Sequence, residues 1–110
     1  MAFTLDVTRK ALHGREVILS FRCKKTEALF DGVKCDKQWK VFQSVAERKL
    51  GMLHAASQLK DLGIPPANRL EPLRGDRKGQ HSIRINDQFR ICFVWTDNGP
   101  TDVEIVDYHS

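Results

Sequence analysis

The sequence predicts a compact α+β domain, in which an N-terminal strand and helices pack on one face of an antiparallel sheet. Three observations predict it. Apolar side chains recur at three and four positions from Asp36 to Ala56, the period of an amphipathic helix. They alternate at two positions between Ser82 and Cys92, the period of half-buried strands. The helical stretch comes before a run of consecutive strands and does not interleave with them, the order of an antiparallel sheet with segregated helices. At 110 residues the chain supports one modest core.

The elements follow in order. Residues 1–16 read as an extension outside the core, and residues 17–110 as a single domain. "VILSFRC" alternates well enough for a first strand, with Val17, Leu19, Phe21 and Cys23 on one face. "TEALF" is a short helical turn that ends at Asp31–Gly32. Asp36 then caps a long helix whose buried stripe is Trp39, Phe42, Val45, Ala46, Leu50, Leu53 and Ala56. "SQLKDL" is a second short helix, stopped by Gly63 and the prolines beyond it. A loop, "PPANRLEPLRGDRKGQ", leads into two hairpin strands, a turn at "TDNGPTD" and a last strand, "VEIVDYH".

The hairpin "SIRINDQFRIC" has a consequence. If Ile83, Ile85, Phe89 and Ile91 share one core, Ile83 pairs with Ile91 and Ile85 with Phe89, since a slip of one residue would turn one set to solvent. Arg84 then lies opposite Arg90. Like charges so placed repel by a few tenths to about 1 kcal/mol, which points to an anion as the absent partner. On that basis, replacing Arg90 with alanine should leave stability unchanged or raise it by about 0.7 kcal/mol.

A formal net charge of +4 favours an acidic or nucleic-acid partner without requiring one. The basic residues Arg69, Arg74, Arg77, Lys78, Arg84 and Arg90 outnumber Glu71, Asp76 and Asp87 between Arg69 and Arg90. Arginine dominates there, and its planar fork suits phosphate oxygens. The chain-end "DYH" adds a carboxylate, a phenol and an imidazole, so proton-transfer groups stand beside phosphate-binding ones, as cleavage by an RNA 2′-hydroxyl requires. His54, on the long helix, and His81, at a strand start, read as structural, and His13 lies in the extension. Cys23, Cys35 and Cys92 form no C-x-x-C pair, so neither a zinc site nor a disulfide framework is indicated and a reducing cytoplasm is expected. No apolar run is long enough to span a bilayer, and no Walker loop, GxGxxG, HExxH or G-x-S-x-G motif occurs.

"SFRCKKTEALFDG", "RLEPLRGDRKGQHSIRINDQFRICFVW" and "VEIVDYH" together resemble the HigB-type toxins of bacterial toxin–antitoxin systems, in the RelE/ParE superfamily, from about Val17 to His109. The resemblance implies a RelE-like fold and a ribosome-dependent mRNA endonuclease that inhibits translation in the ribosomal A site and so arrests growth. Its implied partners are the small ribosomal subunit with its mRNA and a helix-turn-helix, HigA-like antitoxin, with operator DNA bound only through the toxin–antitoxin complex. It implies no cofactor, metal or membrane. Carried over by position, it marks Arg74, Arg77, Arg90, Asp107, Tyr108 and His109 as the active-site set, with Lys78, Arg84 and Arg69 as further RNA contacts. Some relatives hold a histidine where this chain has Glu71, and other toxins of the superfamily place a glutamate near the scissile phosphate. The general base is therefore His109 or Glu71. Two other functions are the alternatives: a ParE-type toxin directed at gyrase, which shares the fold without needing the "DYH" set, and a non-catalytic module that holds nucleic acid by charge through the basic loop alone.

Overall fold

The computed structural model describes residues 17–108; the extension 1–16 with His13, and the terminal His109 and Ser110, lie outside the described residues. Helix α1 (Lys24–Phe30) is followed by a 3₁₀ turn (Lys37–Phe42) that runs directly into α2 (Gln43–Ala55). Asp36 caps this unit as expected, its carboxylate accepting from the Gln38 N–H at 2.9 Å. Its first six residues are wound more tightly than an α-helix. Leu59–Gly63 forms another 3₁₀ turn in place of the expected short helix, closed by a reciprocal capping pair between Gln58 and Asp61.

Four strands complete the fold: β1 (Glu71–Pro72), β2 (His81–Arg84), β3 (Phe89–Thr96) and β4 (Gly99–Asp107). They form one antiparallel sheet in chain order. The predicted register holds: Ile83 pairs with Ile91 and Arg84 with Arg90. One face of the sheet carries Ile83, Ile91, Phe93, Val103 and Ile105, which join Trp39, Phe42, Ala46, Leu50 and Leu53 in a single core. Burying each large side chain of this kind stabilises by about 1.5–3 kcal/mol, so the register is set by the core. Val45 is only half-buried at the edge of the stripe. Among the described residues no helix is long and apolar enough to cross a membrane.

The expected first strand is not a regular strand. Residues 17–23 run parallel to β4, joined by the Leu19 N–H to Pro100 O bond at 2.8 Å and the Arg22 N–H to Val103 O bond at 3.0 Å, with only Phe21–Val103 as a bridge. The cause is a bulge in the edge they meet. Cys92 pairs with Glu104 and Val94 with Thr101, so Asp102 and Val103 together oppose Phe93, and Asp102 takes a left-handed φ of 53°. The bulge turns both N–H groups to Ser20, at 2.9 Å and 3.1 Å. Val17 and Ile18 are consequently both buried, which breaks the alternation. Gly99 permits this approach: a Cβ there would lie 2.4 Å from the Val17 carbonyl oxygen, at a φ of 127° that other residues rarely adopt.

Two histidines serve the fold, as expected. His54 Nδ1 accepts the Ile18 N–H at 3.2 Å. His81 stacks on Phe93 with ring centroids 6.3 Å apart, and its Nδ1 is buried without a hydrogen-bond partner among the described residues. Burial pushes its pKa below the ordinary 6.5. The unfolded chain therefore gains this proton before the folded chain does as the pH falls. The stabilisation from a neutral His81 is complete above 6.5 and is lost as the pH drops from there through the lower folded pKa. Denaturant unfolding should accordingly show a shallower loss of stability as the pH falls below 6.5 in His81→Phe than in the parent; equal slopes would remove His81 from the acid response.

Candidate functional site

Strand alternation builds the site. With Ile83, Ile91 and Ile105 turned to the core, Ser82, Arg84, Arg90, Cys92 and Glu104 face the other side. A cleft of about 490 Å³ opens at the end of this face, lined by Ala67, Arg69, Arg84, Asn86, Asp87, Arg90 and Tyr108. Its size is that of an ordinary small-ligand site, while its lining is polar and cationic.

Arg90 is the organising residue. It is buried, and its guanidinium donates from Nε to Ser82 Oγ and from Nη2 to the Arg69 carbonyl, both at 2.7 Å. Glu71 Oε1 lies 3.9 Å from Nη2, and the Tyr108 ring centroid 5.6 Å from the guanidinium carbon. Arg69 presents its carbonyl from a left-handed conformation, φ 47°, at the end of the 3₁₀ turn Pro66–Asn68. That turn is anchored by buried Asn68, whose amide donates to the Leu62 carbonyl at 3.0 Å. The expectation that Arg90 faces Arg84 without partners is thus overturned. The chain itself supplies oxygen atoms from Ser82, Arg69 and Glu71, and the side chain of Arg84 is ion-paired with exposed Asp87. Removing Arg90 would therefore leave partners unsatisfied, and its loss is no longer expected to be neutral for stability.

The predicted residues divide by position. Arg69, Arg84, Arg90 and Tyr108 meet in the cleft, with Glu71 beside Arg90. Arg77 reaches the same face but is held by Glu104 and Gln80, both at 3.0 Å, and the Glu104 bond raises its pKa. Arg74 and Lys78 are exposed on the loop around the 3₁₀ turn Gly75–Arg77 and do not line the cleft. Asp107 is separated from Tyr108 by strand alternation and accepts from Gln88 Nε2 at 3.0 Å. His109 lies outside the described residues. Cys92 sits within this face, fully buried, and burial pushes its thiol up to about 11, so it is a neutral thiol and no nucleophile at neutral pH.

Lys49 was not singled out in the sequence. It falls on the buried side of α2 beside Leu50, where a lysine in an otherwise apolar stripe reads as a stem laid over the core. Burial lowers its pKa, and Arg48, Arg84 and Arg90 lower it further by repulsion. Lys49 does not line the cleft, and its one sequence signal was a lysine where the stripe calls for an apolar residue.

The profile of the RelE-like toxin of the type II toxin–antitoxin system HigB matches residues 19–109. The chain is 42% identical over 83 residues to Toxin HigB-1 of Vibrio cholerae serotype O1, an alignment that covers 72% of this chain and 84% of that protein. It is 41% identical over 54 residues to an uncharacterized protein of Haemophilus influenzae, covering 49% of this chain and 54% of the relative.

Proposed function

The chain belongs to the RelE-like HigB toxins of type II toxin–antitoxin systems, a membership that implies an antitoxin partner, and from it we propose that the protein arrests growth by cutting mRNA on the ribosome. The observation that carries this reading is the convergence of Arg69, Arg84 and Arg90 with Tyr108 on one open cleft. Three guanidinium groups against Asp87 and Glu71 leave a net positive seat for a phosphodiester. The Asp87 carboxylate is fully exposed, so a phosphate can replace it on Arg84 at little desolvation cost.

In this mechanism the RNA 2′-hydroxyl attacks the adjacent phosphorus, its proton passes to a base, and the departing 5′-oxygen receives a proton as the P–O bond breaks. A cyclic 2′,3′-phosphate results. The arginines stabilise the charge that grows on the phosphorane oxygens, and Arg90 does so best because its partners hold it in place before substrate arrives. His109 is the main proton-transfer group, with Glu71 serving the other end of the reaction. Tyr108 offers a ring for a flanking base, and Arg74 and Lys78 meet the backbone farther along. The ribosome positions the message, which allows so few protein groups to suffice. The protein works in the cytoplasm, and a HigA-like helix-turn-helix antitoxin holds it silent and brings the complex to operator DNA.

Purified protein incubated with translating ribosomes, followed by sequencing of mRNA ends, tests the proposal. Cuts in phase with codons are expected. Inhibition of gyrase supercoiling without cuts would instead make it a gyrase toxin, and salt-sensitive binding without cuts would make it a non-catalytic module.

Lys49 supplies a second test. Lys49→Met keeps the buried stem and removes the cation, so thermal stability should hold or rise. Lys49 is buried and does not line the cleft, so the log–log salt dependence of RNA binding should stay unchanged. A slope flattened by about 0.7, the value of one lost phosphate contact on a single strand, would instead place Lys49 against the RNA.

A further inference from the structure

A second surface, away from the arginine cleft, has a different chemistry. Two hollows of about 230 and 270 Å³ flank α1 and share Lys34 in their walls. They adjoin at Lys34, and the groove they make is lined by Ala28, Val33 and Cys35, by Lys24, Lys34 and Lys40, and by the carboxylates of Asp36 and Glu47. Val33 is 77% exposed, and Val41, next to Lys40 in the chain, is 91% exposed. No residue of this groove lines the cleft.

Of the two carboxylates in the lining, Asp36 is paired with Lys25 at 3.0 Å and caps the following 3₁₀ turn, while Glu47 accepts from the neutral Gln43 amide at 3.0 Å and keeps its charge. Lys24, Lys34 and Lys40 have no carboxylate partner among the described residues. Exposed Val33 and the apolar hollow at Ala28, set among lysines that lack a carboxylate partner, suit a partner that is apolar on one side and acidic on the other.

Nucleic acid fits this groove poorly. Its walls hold neither an arginine fork nor an aromatic ring on which a base could stack, and the hollow beside Lys24 and Ala28 is mainly apolar. We propose that this groove is the anchoring site for an acidic amphipathic segment of the antitoxin, whose apolar side chains cover Ala28 and Val33 while its carboxylates meet Lys24, Lys34 and Lys40. Such a segment binds without entering the arginine cleft, so anchoring and blocking of the cleft are separate events. The inference rests on the antitoxin partner that family membership implies and is independent of whether the cleft cuts RNA.

The test titrates purified full-length antitoxin onto the full-length chain, onto Lys34→Glu/Lys40→Glu and onto Val33→Ser, with melting temperature measured on each. All three positions are exposed, so folding should be retained. The charge-reversed variant is expected to bind about tenfold more weakly or worse, with the deficit shrinking as salt is raised. Val33→Ser should weaken binding by a smaller, salt-independent factor. In cells, the charge-reversed variant should arrest growth even with antitoxin co-expressed. If the parent binds antitoxin through these lysines yet cuts no mRNA, the groove stands and the cleavage reading falls. Unchanged affinity in both variants would overturn the groove, as would an antitoxin sequence with no acidic amphipathic segment. Loss of mRNA cleavage with antitoxin affinity intact would overturn it too, by assigning the lysines to RNA.

Discussion

Arg90→Ala is expected to lose both activity and stability. Removing a preorganised donor aimed at developing charge lowers the rate by about 10²- to 10³-fold, or about 2.7–4 kcal/mol in the barrier. Stability should fall as well, because Ser82 Oγ and the Arg69 carbonyl each lose a 2.7 Å bond to the guanidinium. Ser82 is buried, and an unsatisfied buried group costs about 1–3 kcal/mol, against which relief of the Arg84 repulsion returns under about 1 kcal/mol. The two losses are separable. Cleavage is measured at low temperature, where the variant remains folded, and is compared with Arg90→Lys, which restores charge without the fork. Recovery of stability but not of rate in the lysine variant is not expected, since both depend on the same fork geometry. Full cleavage by a folded Arg90→Ala protein would reduce Arg90 to a structural bolt and leave Arg69 and Arg84 to hold the phosphate.

His109→Ala is the complementary case. A proton-transfer group contributes about 10²- to 10⁴-fold, so ribosome-dependent cleavage should fall by that factor. The melting temperature of the same variant is expected to stay nearly unchanged, as for a side chain whose role is chemical. Retained cleavage would move the role to Glu71, and Glu71→Gln would then show the loss; its carboxylate lies 3.9 Å from the Arg90 guanidinium. A large drop in melting temperature would mean that His109 is part of the packing.

Sequence alone determined what depends on short-range periodicity. The stripe Trp39, Phe42, Ala46, Leu50 and Leu53 specified the helical layer, and the alternation of Ile83, Ile85, Phe89 and Ile91 specified the hairpin register down to the Arg84–Arg90 pair. Both are legible because burial of one face enforces a fixed period along the chain.

Only the tertiary structure decided what depends on distant partners. The bulge at Asp102 turned an expected first strand into a segment joined by one bridge, through contacts made some 80 residues apart in the chain, between Ser20 and Asp102. It sorted the basic residues into those that share a cleft and Arg77, which Glu104 neutralises from another strand. It brought a left-handed carbonyl at Arg69 onto Arg90, and the charge of Lys49 toward the same arginines. None of these has a local signature, because a guanidinium in the sequence is the same whether the fold brings it an oxygen atom or leaves it for a phosphate.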